Sequence, residues 1–505
     1  FESEIELFIL ALSTIDLSEE LKVYKVVLFD CVAKGLEIQI AMIFDQQSIL
    51  ECLSLYEMFI SSHYYLKYYE ASILFVNELC IKSASVAIRN ADITCFLPLL
   101  THGQFLQNIP SMLGSIPFQR ILSERKNKFD NAIVVSAGPS LAKQLSLLKA
   151  YQDKAVIFCA DGALSMLEKE GIIPDYVTNL DCRDLAMKFF QNKENLKQSI
   201  IALECATHPN VVRSLKAENC MIILRNKALY QRFNLNDFGY IDTGTHVSHF
   251  SYTLALALGF KNIIMIGQDL AFDEEGNSHS KGFSYGEKYE GGANIDKFKI
   301  PAYAGKGEVL THIAWNDYRI KLEYLFACNE QKAKFYNATE GGARINFTEE
   351  LSFKECCEKL LTKEKPKFEL PKSLTKNRSD KLLVKFKEKI QKDQENAKRF
   401  LDDALALKQI LENILSKDFI LPLEFLEKVY QNIENFNHSL DTDEFIQDEV
   451  LRGAFAYRGK LISDVLKLHI KDETHFITAY IKAYHEWLLY FIEKLEQKYK
   501  SLSKV

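Results

Sequence analysis

Apolar residues follow two rhythms along this chain. Between residues 111 and 362, short β-branched runs recur: Ala132–Ser136, Ala155–Ala160, Tyr176–Leu180, Ile200–Glu204, Met221–Leu224 and Asn262–Gly267. Helix-like segments lie between most of them. Continuous apolar strands alternating with helices predict a mostly parallel sheet covered on both faces. From residue 381 to 505 the period is helical. Leu401, Leu405, Ile410, Ile414 and Leu415 keep one face, as do Ile477, Ile481, Tyr484, Leu488 and Ile492. Glycine is nearly absent there and Pro422 is the single proline, which predicts an all-α bundle of four to six helices. Tyr457, Tyr480, Tyr484, Trp487, Tyr490 and Phe491 are expected to pack its core, with a partner-binding surface as the alternative. Residues 1–110 show neither rhythm clearly. Runs such as Ile5–Leu12, Tyr24–Leu28 and Ile73–Val76 predict an α+β or mainly helical N-terminal accessory domain. Residues 363–380, with Pro366, Pro371 and several lysines, read as a linker.

Composition narrows the function classes. The chain has 505 residues, 48% hydrophobic and 26% charged, enough for several packed cores. A net charge of −6 gives no basic field, which argues against nucleic acid as partner. The eleven cysteines are scattered and form no C-x-x-C pair, as expected of free thiols in a reducing cytoplasm. No run reaches the roughly 18 apolar residues of a membrane span. The start, Phe1-Glu-Ser-Glu-Ile-Glu, lacks the basic region of a secretion signal. It also lacks an initiator methionine, so residues upstream are expected.

The polar chemistry gathers at the predicted strand ends, where such sheets bind ligands. After the first strand comes Ser136-Ala-Gly138-Pro139-Ser140-Leu141. Gly138 permits a tight turn, Pro139 suits a helix start, and Ser140 caps free N–H groups. A phosphate could sit on such a helix start. Asp161 follows the second strand, where a carboxylate reads ribose hydroxyls or caps a helix. Asn179, Asp181, Arg183 and Asp184 follow the third. Asp181 and Asp184 would suit Mg²⁺, or a plain Arg–Asp surface pair. Thr243-Gly244-Thr245-His246-Val-Ser248 precedes an apolar helix, with Thr245 or Ser248 as its cap or as an anion cradle. The last apolar strand ends at Gly267-Gln268-Asp269, and Asp269 is the best site carboxylate. A polar loop then runs to about residue 307, long enough for a lid. His312 opens a helix and has a pKa suited to a general base. Gly341-Gly342-Ala-Arg344 offers close backbone approach and a fixed cation.

Four of these motifs in order, Ser136–Leu141, Asp175–Asp184, Gly267–Phe272 and Asn337–Arg344, resemble the motility-associated factor (Maf) family. Those bacterial proteins are implicated in glycosylating flagellin with nonulosonic acids such as pseudaminic or legionaminic acid. The central part is also similar to bacterial sialyltransferases that use CMP-sialic acid, which implies a Rossmann-like, sialyltransferase-like sheet. On that resemblance Gly138, Pro139 and Ser140 hold the nucleotide. Asp161 falls near the next nucleotide contact, though it departs in residue type. Thr243-Gly244-Thr245 matches a T-S-G segment, and Gly267-Gln268-Asp269 matches a G-x-D strand end. His312 lies one residue from the family's general base, before Leu322-Glu-Tyr-Leu325. The reading that follows is a cytoplasmic transferase moving a nonulosonic acid from its CMP donor to flagellin Ser or Thr. His312, or failing that His246 or Asp269, takes the hydroxyl proton, and Arg344 or Lys281 holds the sugar carboxylate. No metal is required, though Mg²⁺ remains open, as does an oligomer. The alternatives are a pterin-type diphosphokinase using ATP and Mg²⁺, and a non-catalytic flagellin-binding assembly factor.

Overall fold

The computed structural model describes residues 5–16, 18–19, 36, 40, 43–44, 46–53, 63–191, 194–290, 296–417, 419 and 421–504. The chain divides into two compact units, one of residues 1–99 and 393–500, the other of residues 100–392 and 501–505. Most of the segments expected as an N-terminal accessory domain and a C-terminal bundle therefore fall in one unit, with residues 100–110, 381–392 and 501–505 in the other.

The unit of residues 100–392 holds the sheet. Its strands are β1 (Asn131–Val135), β2 (Val156–Ala160), β3 (Tyr176–Asn179), β4 (Ile200–Glu204), β5 (Cys220–Arg225), β6 (Gly239–Ile241) and β7 (Asn262–Ile266). They are followed by β8 (Lys297–Pro301), β9 (Glu308–His312), β10 (Lys334–Asn337) and β11 (Glu349–Glu350). Nine of these form one sheet in the order β11-β10-β7-β1-β2-β3-β4-β5-β6, and every neighbouring pair is parallel. Every residue of β1, β2 and β4 is buried, because helices cover both faces of the sheet. Such strands must be apolar along their whole length. On one face, Phe250, Tyr252 and Leu254 of helix α1 (Val247–Ala257) join Phe158, Tyr176 and Met265 in a common core. The rings of Phe158 and Tyr176 stack on neighbouring strands, 4.7 Å between centroids.

The strand order sets where a ligand can enter. The chain builds outward from β1 through β2 to β6, then returns to place β7 on the other side of β1. Residue pairs Val135–Ile266 and Val135–Cys159 mark the two flanks. The strand order thus reverses at β1, and parallel sheets of this kind take ligands in the crevice at the carboxyl ends of the strands on either side, here β1 and β7. The polar stretch after Asp269, expected as a loop to about residue 307, instead includes the antiparallel hairpin β8–β9. Helix α2 (Ile313–Ala327) follows it directly.

In the other unit most of the described residues are helical. Among the described residues four helices, Lys376–Leu415, Leu423–Asp441, Arg452–Leu466 and Glu473–Leu502, run through the C-terminal part. The first begins inside the expected linker, and its residues up to 392 belong to the unit that holds the sheet. Trp487, Tyr484 and Phe491 are buried, and the Trp487 indole donates to the Ala454 carbonyl at 2.8 Å. Lys498 and Asp448 form a fully buried ion pair at 2.7 Å. Ile5–Leu12 and Ile73–Val76 are helical. The run Tyr24–Leu28 lies outside the described residues. Among the described residues one stretch, Glu70–Ile88, is long and apolar enough to cross a membrane. Its Ile73, Val76, Leu79, Cys80 and Ala87 are buried, while Leu74, Phe75, Ile81 and Ile88 are exposed.

Candidate functional site

Two turns meet at the crevice between β1 and β7, and each fits only because the other leaves room. Gly138 donates its N–H to the Gly267 carbonyl at 2.8 Å. A Cβ on Gly138 would lie 2.0 Å from Asp269 Oδ2 and 2.6 Å from that carbonyl. Gly267 has φ +64, and a Cβ there would stand 2.2 Å from the Ser136 carbonyl, so both glycines are required sterically. Pro139–Lys143 is a single 3-10 turn, and the regular helix begins only at Leu145.

Asp269 fills the cradle that the sequence offered to phosphate. Its carboxylate accepts the Ser140 N–H at 3.2 and 3.3 Å and the Ser140 hydroxyl at 2.8 Å. The expected phosphate donors of Ser140 are thus engaged by the protein's own carboxylate, because the switch point brings the two strand ends together. Burial pushes the Asp269 pKa up to about 7, against the lowering effect of the Ser140 bonds. Gln268 ties the same place together, its Oε1 accepting from Ser136 Oγ at 2.8 Å and from the Tyr252 hydroxyl at 3.3 Å.

One strand over, Asp161 is equally buried. Its carboxylate accepts from the Gly162 N–H at 2.6 Å and from the Asn179 amide. The Asn179 Oδ1 in turn accepts from Thr207 Oγ1 at 3.2 Å. Burial raises the Asp161 pKa to about 7. Asp181 is held by Arg183 at 3.1 Å, and Asp184 stands 3.3 Å from His208. Arg183 already engages Asp181 and His208 lies against Asp184, so a Mg²⁺ between the carboxylates would first have to displace both side chains. Among the described residues no group of three or more His, Cys, Asp or Glu side chains is arranged to hold a metal.

His246, not Thr245 or Ser248, caps α1. Its side chain accepts the His249 N–H at 3.4 Å and meets Ser248 Oγ at 2.8 Å. Gly244 lies against the His249 ring, and Thr245 is exposed. The start of α1 adjoins the end of β3, where Thr178 Oγ1 meets Ser251 Oγ at 2.7 Å. His312 caps α2 and is buried, stacked on Trp315 at 4.1 Å. It adjoins the Asp269 segment, since the Thr311 hydroxyl donates to the Leu270 carbonyl at 2.8 Å. Burial lowers its pKa.

Arg344 and Lys281 are not brought into this crevice by any contact. Arg344 is exposed, 4.0 Å from Glu350, and Lys281 is exposed on the loop that follows β7. That loop does close over the strand ends. The Ser280 N–H donates to the Ala137 carbonyl at 2.9 Å, and its hydroxyl accepts the Ala142 N–H at 3.1 Å. The sequence reading passed over the aromatic groups this loop carries. His279 stacks on Phe283 at 3.9 Å, and Tyr285 stacks on Tyr289 at 4.9 Å. The run Phe283-Ser-Tyr285-Gly-Glu-Lys-Tyr289 was a visible signal for them. Tyr318 of α2, whose ring lies 4.6 Å from His246, was also passed over. A separate cavity of about 590 Å³ opens at the β6 edge, lined by Gln119, Asn226, Asn236, Asp237, Gly239 and Tyr240. None of the residues singled out in the sequence lines it.

Residues 103–275 match a family model described as 6-hydroxymethylpterin diphosphokinase MptE-like. The whole chain also superposes on a Maf glycosyltransferase from Magnetospirillum magneticum AMB-1. The TM-score is 0.57 at 16% identity, covering 99% of this chain and 75% of that one. The chain has the fold of a Maf glycosyltransferase. The resemblance drawn from the four motifs holds at that level, with a parallel α/β sheet and flanking helical regions. No protein with a curated description matches the chain.

Proposed function

We propose that this chain is a glycosyltransferase that moves a nonulosonic acid from its CMP donor to Ser or Thr hydroxyls of flagellin, in the cytoplasm. The observation that carries the reading is the crevice at the β1/β7 switch point, on a fold shared with a Maf glycosyltransferase. Buried polar groups converge there from β1, β2, β3 and β7, on the side of a parallel sheet that takes nucleotides. Transfer breaks the bond between the anomeric carbon and the phosphate oxygen, leaving charge on the phosphate and an oxocarbenium-like carbon. The protein must supply fixed donors to that charge. The start of α1, where His246 takes the third N–H and the first two lie outside the helix's own bonds, suits this better than Ser140, whose donors Asp269 occupies. Asp161 and Asn179 suit the ribose or base. The test is to incubate the purified protein with the CMP-sugar and flagellin. The reading requires a mass increase on flagellin equal to one sugar residue, with release of CMP. Binding of CMP-sugar without transfer to flagellin would contradict it.

The matched family description over residues 103–275 favours a second reading, a diphosphokinase acting on ATP with Mg²⁺. Ligands that bind the folded state raise its apparent stability. Stabilisation by ATP with Mg²⁺ but not by CMP would replace the first reading with this one.

A further inference from the structure

His246 and His312 stand at matching places. Each directly precedes a helix, α1 or α2, in extended backbone. In each, Nδ1 accepts the backbone N–H of the residue three positions on, His249 at 3.4 Å and Trp315 at 3.3 Å. A ring nitrogen that accepts an N–H carries no proton. Neutral imidazole has one proton, so in both residues it sits on Nε2. Accepting an N–H at Nδ1 requires a neutral ring, and burial favours that form, lowering the pKa of each. The Nε2 of His246 is buried and has no hydrogen-bond partner among the described residues. That of His312 differs. The ring is 6% exposed and pinned between Trp315 at 4.1 Å and Phe272 at 6.0 Å. Among the described residues its ring accepts the Trp315 N–H at Nδ1 and lies against its own backbone carbonyl.

We infer that His312 serves the cleft as a hydrogen-bond donor through Nε2–H, to an oxyanion of the bound ligand, and not as the base that removes a hydroxyl proton. A base must turn a lone pair toward that hydroxyl, and the lone pair of His312 is committed to the helix. Presenting it at Nε2 would mean moving the proton to Nδ1 and giving up the cap. An N–H at Nε2 can bond only to an acceptor, so the ligand group is a phosphate ester or a carboxylate. Two opposite charges act on His312, Glu290 more strongly than Lys297. The two pair with each other at 2.8 Å, and the Lys297 ammonium lies 4.1 Å over the Phe272 ring. The identity of the ligand rests on the transferase reading, while the position of the proton does not.

Two measurements test this. Long-range ¹H–¹⁵N correlation on histidine-labelled protein, with His312→Asn to assign the signal, reports which ring nitrogen carries the proton. Nε2–H is expected, and a proton on Nδ1 overturns the inference. The second measurement is CMP affinity of two variants. His312→Asn keeps the cap through its Oδ1 but removes the outward donor. His312→Gln carries an amide N–H near the Nε2 position. The first is expected to weaken CMP binding about tenfold, the scale of a hydrogen bond to a charged group. The second is expected to stay within about threefold of wild type on the same scale. Equal weakening in both overturns the donor role. Failure of the wild-type protein to bind CMP removes the transferase reading and leaves the proton's position to decide the inference.

Discussion

Asp269→Asn is the substitution that best separates burial from hydrogen bonding at the switch point. The side chain is 4% exposed and its carboxyl is raised from 3.8 to about 7. Burial therefore outweighs the donors of Ser140. A carboxyl whose folded pKa lies above its unfolded value binds its proton more tightly when folded. Its contribution is fully present below pH 4 and is lost as pH rises through about 7. The shift of about three units, at 1.36 kcal/mol each, amounts to about 4 kcal/mol. Asparagine has nearly the same shape and never ionises. Its Oδ1 can still accept the Ser140 N–H, and the Ser140 hydroxyl can turn to accept from its amide. The variant should lie within about 1 kcal/mol of wild type at pH 4.5 and exceed it by a few kcal/mol at pH 8. Urea titration read by hydrogen exchange in peptides 131–141 and 262–270 measures this locally. A stability difference that stays constant between pH 4.5 and 8 would refute the reasoning.

Other expectations follow from single contacts. Gly138→Ala puts a Cβ 2.0 Å from Asp269 Oδ2 and should cost about 1–3 kcal/mol in thermal unfolding, with an unchanged melting temperature as the contrary result. Lys498→Met strands the buried Asp448 carboxylate and should cost about 3–5 kcal/mol, most of which a second change, Asp448→Leu, should recover in the same urea assay. Because Asp181 and Asp184 already face Arg183 and His208, EDTA should leave CMP-induced stabilisation in a thermal-shift assay unchanged, and its loss would restore a metal to the site.

Six strands were legible in the sequence because each is buried on both faces and so reads as an unbroken apolar run. The strands passed over lack that signature. β6 is three residues long at a sheet edge, and β8 exposes Lys297, Phe298 and Lys299, so neither carries a continuous apolar pattern. The strand order was hidden for another reason. The pairing of β1 with β7 joins residues over a hundred positions apart, and no local pattern encodes it. That same pairing sets what Ser140 meets, since Asp269 comes from the far side of the domain. The cap of α1 was hidden as well. Thr245 and Ser248 are commoner caps, yet the backbone places His246 at the position that reaches the third N–H.

The central claim is that nucleotide binds at the β1/β7 crevice. Hydrogen exchange with and without CMP tests it directly. The account predicts slowed exchange in residues 136–142, 161–164, 178–184 and 267–272. Protection confined to the cavity around Gln119, Asn226 and Tyr240, with the switch-point turns unchanged, would contradict it.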